Sequence, residues 1–189
     1  MDILTLDCQS IELTDEQFYQ LCRNNRELRF ERNADGDLLI MSPTGGETGN
    51  RNIEIAYQLQ AWNRQNNLGL AFDSSTGFKL PNGANRSPDA SWIPLAKWNA
   101  LSDEQKQKFL PLCPDFAIEL LSPSDKLAKT QDKMQEYLDN GMKLGWLINP
   151  QNRVEIYRSR TAVEILDSPN SLSGEAVLPG FILDLQFLW

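Results

Sequence analysis

The chain of 189 residues predicts an α/β fold, with an N-terminal helix and a β-hairpin leading into a sheet flanked by helices. Three observations predict it. Thr14-Asp15-Glu16-Gln17 has capping-box spacing, Asp35-Gly36 joins two alternating runs, and two nearly continuous apolar runs, 116–121 and 144–148, bracket an amphipathic stretch. The apolar fraction of 41%, with five Trp and eight Phe, supplies one substantial core, and no repeat or linker divides it. A single domain over 1–189 is expected.

After the capping box, Phe18, Leu21 and Cys22 share a helical face, giving a helix over about 15–24. Segments 27–33 and 37–41 then form the hairpin. Segment 47–66 is the first long helix, with Ile53, Ala56, Tyr57, Leu59 or Gln60, and Ala61 at helical intervals and Asn66-Asn67-Leu68-Gly69 breaking the pattern. Strands follow near 69–73, 76–80 and 86–93, with Pro81-Asn82-Gly83 turning between the last two and Asp89 placed in mid-strand. The polar stretch 94–110 reads as short helices in a peripheral insertion. Phe116–Leu121 is a strand buried on both faces, and Ser122 or Ser124 caps a helix over about 125–139 that ends at Asn140-Gly141. Leu144–Ile148 closes a strand–helix–strand unit, Val154–Tyr157 adds a strand, and the apolar tail 176–189 adds an edge strand and a short helix.

Composition limits the chemistry. The chain has no histidine, which excludes Ser-His-Asp and Cys-His catalysis and the common zinc hydrolase sites. Carboxylates, lysine, tyrosine and hydroxyls remain for acid–base work. A net charge of −8 gives no general attraction to a polyanion, so any nucleic-acid contact needs a local basic surface and bound divalent cations. Cys8, Cys22 and Cys113 form neither a disulfide framework nor a metal motif. No run approaches the roughly 20 apolar residues of a membrane span, and Met1-Asp2-Ile3-Leu4 lacks a signal-peptide pattern, so a cytoplasmic location without membrane contact is expected.

Glu119 interrupts an apolar strand, where a carboxylate pays several kcal/mol of desolvation unless it meets a cation, a hydrogen-bond network or a solvated cleft. If the strand of Asp89 is its neighbour, the two carboxylates converge on a hard anionic site suited to Mg²⁺ or Mn²⁺. The bland alternative pairs Glu119 with a buried Arg or Lys and has Asp89 cap a turn. On the helix that follows, Leu127, Met134 and Leu138 mark the buried stripe, and Lys129, Lys133 and Tyr137 recur every four residues beside it. Lys133 can therefore reach a water or phosphate at the two carboxylates, or else pair with Glu136 or Asp132 on a solvated face.

Taken together, several segments resemble the Uma family of restriction endonucleases, within the PD-(D/E)XK nuclease superfamily. They are Pro88-Asp89, Pro114–Ser124 containing Glu119, Lys133 with Tyr137, and Gly141 followed by Gly145–Ile148. Glu31, Gly36, Met41-Ser42-Pro43 and Leu178–Phe181 extend the similarity over nearly the whole chain. The resemblance implies a mixed-sheet restriction-endonuclease-like fold, Asp89 and Glu119 as metal ligands for Mg²⁺ or Mn²⁺, and a nucleic acid, DNA first, as partner. Leu121 stands where the strand lysine of the superfamily pattern falls, and Lys133 from the helix is the family-type substitute. Glu47, Glu54 and Glu31 are candidates for an additional carboxylate.

Arg23, Arg26, Arg29 and Arg32 offer a basic edge or a solvated surface, and Trp62 a core residue before a base platform. Phe181, Phe187, Leu188 and Trp189, with Trp98 and the peripheral stretch 94–110, suggest a homodimer. Three functions compete: a metal-dependent nuclease, a catalytically inactive binding module on the nuclease fold, and a hydrolase of smaller phosphodiesters. Divalent-ion binding separates the second from the others.

Overall fold

The computed structural model describes residues 4–8, 10, 11 and 13–189. Residues 1–3, part of the segment without a signal-peptide pattern, lie outside the described residues. A short strand β1 (Leu4–Leu6) precedes helix α1 (Asp15–Asn24), whose first turn is closed by the reciprocal Thr14–Gln17 capping box. Strands β2 (Arg29–Arg32) and β3 (Leu38–Met41) form the expected hairpin, and Gly36 takes the positive φ of 94° at its turn. Helix α2 (Gly46–Asn66) follows and ends on left-handed Asn67.

The chain then lays down β4 (Gly69–Asp73), β5 (Phe78–Lys79), β6 (Asn85–Arg86) and β7 (Ala90–Pro94), then short helices α3 (Leu95–Ala100) and α4 (Asp103–Lys106). The expected strand over 86–93 is split. Asn85 and Arg86 pair within a five-stranded sheet of order β1-β3-β2-β6-β5, whereas Ala90 onward belongs to a six-stranded sheet. Pro88 has no N–H to donate, so the ladder stops there and the chain crosses between sheets. Asp89 therefore sits at the bend just before β7 and not in mid-strand.

β8 (Phe116–Leu120), α5 (Leu127–Asp139) and β9 (Leu144–Asn149) make the strand–helix–strand unit, and β8 and β9 are parallel. With β10 (Arg153–Arg158) and β11 (Glu164–Asp167) the larger sheet has the order β11-β10-β9-β8-β7-β4, antiparallel except at β8–β9. The sheet is mixed and covered on both faces. Alternation along the strands sends Phe116, Ile118 and Trp146 to a core shared with Ile55, Leu59 and Trp62 of α2. Ala117, Leu121 and Leu147 go to the opposite core, shared with Met134 and Tyr137 of α5.

Several local readings are corrected. On α2 the inward face is Ile55, Leu59 and Trp62, while Ile53 and Tyr57 are 66% and 64% exposed. The helix carries two apolar stripes, and the one with the large Trp62 wins the core. Lys126, without a side-chain hydrogen bond, is the N-cap of α5, because Ser122 and Ser124 bond one another at 2.9 Å. The tail joins no edge of the large sheet: β13 (Ile182–Asp184) pairs with β12 (Ser171–Ser173), and residues 186–188 form a turn in place of a helix. Phe181 and Leu188 are buried in the core, and Phe187 packs on it. Trp98 packs on the opposite core, so among the apolar residues that suggested a second copy Trp189 is exposed, together with Leu95 of the 94–110 stretch. Among the described residues no helix is long and apolar enough to cross a membrane.

Candidate active site

β7 and β8 are adjacent and antiparallel with Ala90 opposite Ile118, and continuing that register sets Asp89 opposite Glu119. Ala90 and Ile118 face the α2 side, so their neighbours face α5. Asp89 is fixed by the main chain of β8: its Oδ2 accepts the Leu120 N–H at 2.9 Å, and Asn52 of α2 donates to Oδ1 at 3.3 Å. Both carboxylates line a cleft of about 880 Å³ between the hairpin, the start of α2, the Ser122–Asp125 loop and α5.

Lys133 reaches this cleft from α5. Its Nζ lies 2.9 Å from Glu119 Oε1 and 2.8 Å from Glu31 Oε1. Tyr137, one turn on, donates its hydroxyl to the same Glu119 oxygen at 2.9 Å. The four-residue spacing of Lys133 and Tyr137 thus places both groups over one atom. Glu119 Oε2 has no hydrogen-bond partner among the described residues.

Glu31 is 3% exposed on β2. It bridges Lys133, the Ser87 N–H at 2.9 Å and Arg86 Nη1 at 3.1 Å, and Arg86 Nε continues to Glu136 at 2.5 Å. Of the three candidates for an additional carboxylate, Glu31 stands at the site's centre. Glu47 lies at the rim with its side chain 89% exposed, and Glu54 accepts from Gln58 away from the cleft lining.

Four carboxylates, those of Glu31, Asp89, Glu119 and Glu136, meet Arg86 and Lys133, with Arg29 acting on Asp89 from the cleft wall. The surplus negative charge falls on the Asp89–Glu119 side. Burial, reinforced by Asp89 and Glu31 against the pull of Lys133, pushes Glu119 up to about 7. Burial also raises Asp89, although the Leu120 N–H, Lys133 and Arg29 oppose it. Glu31 goes the other way: burial would raise it, but Lys133 and Arg86 outweigh that and hold it ionised. Lys133 is likewise held protonated, because Glu119 and Glu31 overcome the burial that would lower its pKa.

The structure brings Asp89, Glu119 and Lys133 together in one cleft, with Lys129 on its lining and Lys126 exposed outside it. The reading from sequence missed Arg86 and Asn52, which carry no motif of their own. The four arginines read as a basic edge or a solvated surface diverge. Arg29 lines the cleft, but Arg32 is buried on Asp15, Asn85 and the Leu13 carbonyl. Among the described residues no group of three or more His, Cys, Asp or Glu side chains is gathered to hold a metal ion.

A crystal structure described as that of a "putative nuclease" from Anabaena variabilis superposes with a TM-score of 0.71, covering 84% of this chain and 88% of that one at 19% identity. At that identity the likeness shows a shared mixed α/β fold. The Uma2 family, described as "Putative restriction endonuclease", matches residues 15–186, and the chain belongs to it. No curated protein matches the sequence significantly.

Proposed function

We propose that the chain is a divalent-metal-dependent nuclease hydrolysing phosphodiester bonds, DNA being the expected substrate, with Asp89 and Glu119 as metal ligands and Lys133 as the electrostatic catalyst. The observation that carries this reading is the pair of opposed carboxylates in an open cleft with too few cations around them. The donor set fits a hard cation. It is all oxygen, its negative charge is only partly compensated by Lys133 and Arg29, and Mg²⁺ is commonly held by one or two carboxylates while keeping several waters. Bound there, Mg²⁺ or Mn²⁺ supplies charge neutralisation at the phosphoryl oxygens and a more acidic water.

The protein's own groups divide the remaining work. Tyr137 and Lys133 both occupy Glu119 Oε1, which orients the carboxyl and leaves Oε2 for the cation. Leu120 N–H and Asn52 hold Asp89. Lys133 stays charged and so acts as a donor to the developing phosphoryl charge, not as a base. Glu31 and Arg86 set the height of that ammonium.

The test is incubation of the purified chain with plasmid DNA in Mg²⁺, Mn²⁺ or chelator. Cleavage with either metal and none with chelator is expected; no cleavage together with no divalent-ion binding by calorimetry sinks the proposal. A second reading, a non-catalytic binding module, is favoured by Leu121 in place of a strand lysine and by the two glutamates that hold Lys133. It predicts DNA binding that chelator does not change.

A further inference from the structure

We propose that a second copy of the chain docks across the β4 edge of the six-stranded sheet, joining the two sheets into one and packing α2 on α2. β4 is an end strand of that sheet and pairs only with β7 among the described residues. The Leu95 N–H donates to the Leu68 carbonyl at 2.9 Å, which fixes the phase of the ladder. Leu70 and Phe72 therefore bond inward to β7, and Gly69, Ala71 and Asp73 direct their main-chain groups outward. The Asp73 carbonyl accepts the Thr76 N–H, but the Ala71 N–H and carbonyl have no partner among the described residues. Nothing blunts this edge: residues 69–73 hold no lysine or proline, and their register has no bulge. The opposite edge, β11, is instead ended by Glu164 and Asp167.

Beside the edge lies the second apolar stripe of α2, the one the core does not take. Ile53, Tyr57, Gln60 and Arg64 follow at intervals of four, three and four, the seam spacing of paired helices. With Ala71 and Asp73 they line a groove of about 750 Å³, and exposed Ile53 and Tyr57 make it an uncovered apolar patch. The symmetry of the groove selects its occupant. A two-fold axis at Ala71, perpendicular to the sheet, sets Ala71 against the partner's Ala71 and Gly69 against the partner's Asp73. Because α2 turns at Asn67 into β4, Arg64 stands at the Gly69 end of the groove and Asp73 at the other. The same axis therefore brings Arg64 to the partner's Asp73, twice. Arg64 has no ion pair or hydrogen bond among the described residues, and the Asp73 carboxylate holds only Ser75. Spacing agrees. α2 lies over β4 and β7, so strands about 4.8 Å apart put the two copies of α2 about 10 Å apart, the distance of packed helices. In a chain of net charge −8, the groove carries one cation and one anion, so two copies meet here without local like-charge repulsion. A foreign strand would satisfy the main chain of β4 and leave Arg64 unmatched.

Sedimentation velocity on the full-length chain tests this, and it needs neither metal, nucleic acid nor activity. A dimer at micromolar concentration is expected. Tyr57→Glu, on the exposed stripe, should return it to monomer. Arg64→Glu and Asp73→Lys should each weaken it about tenfold, since the symmetry counts every broken pair twice. Far-UV circular dichroism checks that each variant folds. Mixing the Arg64→Glu and Asp73→Lys chains in equal amounts should restore the dimer, because both contacts of the mixed pair again join opposite charges. A wild type that stays monomeric overturns the proposal. A dimer that Tyr57→Glu leaves intact, or a mixture no tighter than either variant alone, puts the contact on another face and overturns it as well.

Discussion

Two glutamates lie mid-strand under α5, and they are treated in opposite ways. Glu155 on β10 is 2% exposed and saturated: Gln131 donates to both its oxygens at 2.9 and 3.0 Å, Tyr157 to Oε2 at 2.8 Å, and Arg153 lies 2.9 Å from Oε1. Glu119 on β8 receives Lys133 and Tyr137 on a single oxygen and faces two further carboxylates. A structural carboxylate in this sheet is given one cation and a full set of donors; the other is left open on one side and short of positive charge. Local sequence already separates them. Residues two apart share a strand face, so Glu155 carries Arg153 and Tyr157 with it, whereas Glu119 has Ala117 and Leu121 and must find partners from elsewhere.

The largest expected effect breaks or supports the functional half of this contrast. Lys133→Ala should lower the cleavage rate on the order of 100-fold or more while leaving divalent-ion affinity largely intact, and Asp89→Ala should lose both. Lys126→Ala is the internal control. Full activity in Lys133→Ala, measured on DNA that the wild type cuts, would remove the lysine from the mechanism.

Next come the opposite stability effects of the two glutamates. Glu155→Ala strands Gln131 and Tyr157 beneath α5, and because the Arg153 side chain is 37% exposed the loss should be about 1–3 kcal/mol in denaturant unfolding. Glu119→Gln should stabilise the metal-free chain. The sign follows from linkage: the folded pKa of Glu119 is raised to about 7, so the folded state binds the extra proton and wild-type stability falls as pH rises from the ordinary carboxylate range to about 7. The advantage of the glutamine variant should grow over that window. A loss of stability in Glu119→Gln at pH 8 would place Glu119 among the structural carboxylates.

The smallest effect is on metal affinity. Glu119 must lose its proton to coordinate, so Mn²⁺ affinity by calorimetry should rise up to about tenfold per pH unit below 7 and flatten above it, with proton release on binding. A flat profile between pH 6 and 8 contradicts this.

Much of the centre was legible because its signals are local. Glu119 stands out as a charge inside an apolar strand, and Lys133 and Tyr137 are spaced to share a helix face. Glu31 and Arg86 were harder. Glu31 is 102 positions from Lys133 and 55 from Arg86, and each residue alone is an unremarkable charge beside a turn. The phase of α2 was misread because two apolar stripes compete on it, and only the shape of the core chooses between them. The tail's apolar residues were as consistent with an interface as with the interior, which Phe181, Phe187 and Leu188 join.

The crossing at Ser87–Asp89 has a mechanical consequence. Within three residues the chain leaves one sheet and enters the other, giving a backbone N–H to Glu31 at its first residue and taking the Leu120 N–H at its last. A strap tied at both ends transmits displacement instead of absorbing it. Spreading the two sheets would load both ties, so the floor of the cleft resists opening. Adjustment to a substrate's shape is left to the walls: the hairpin turn and the loop ahead of α5.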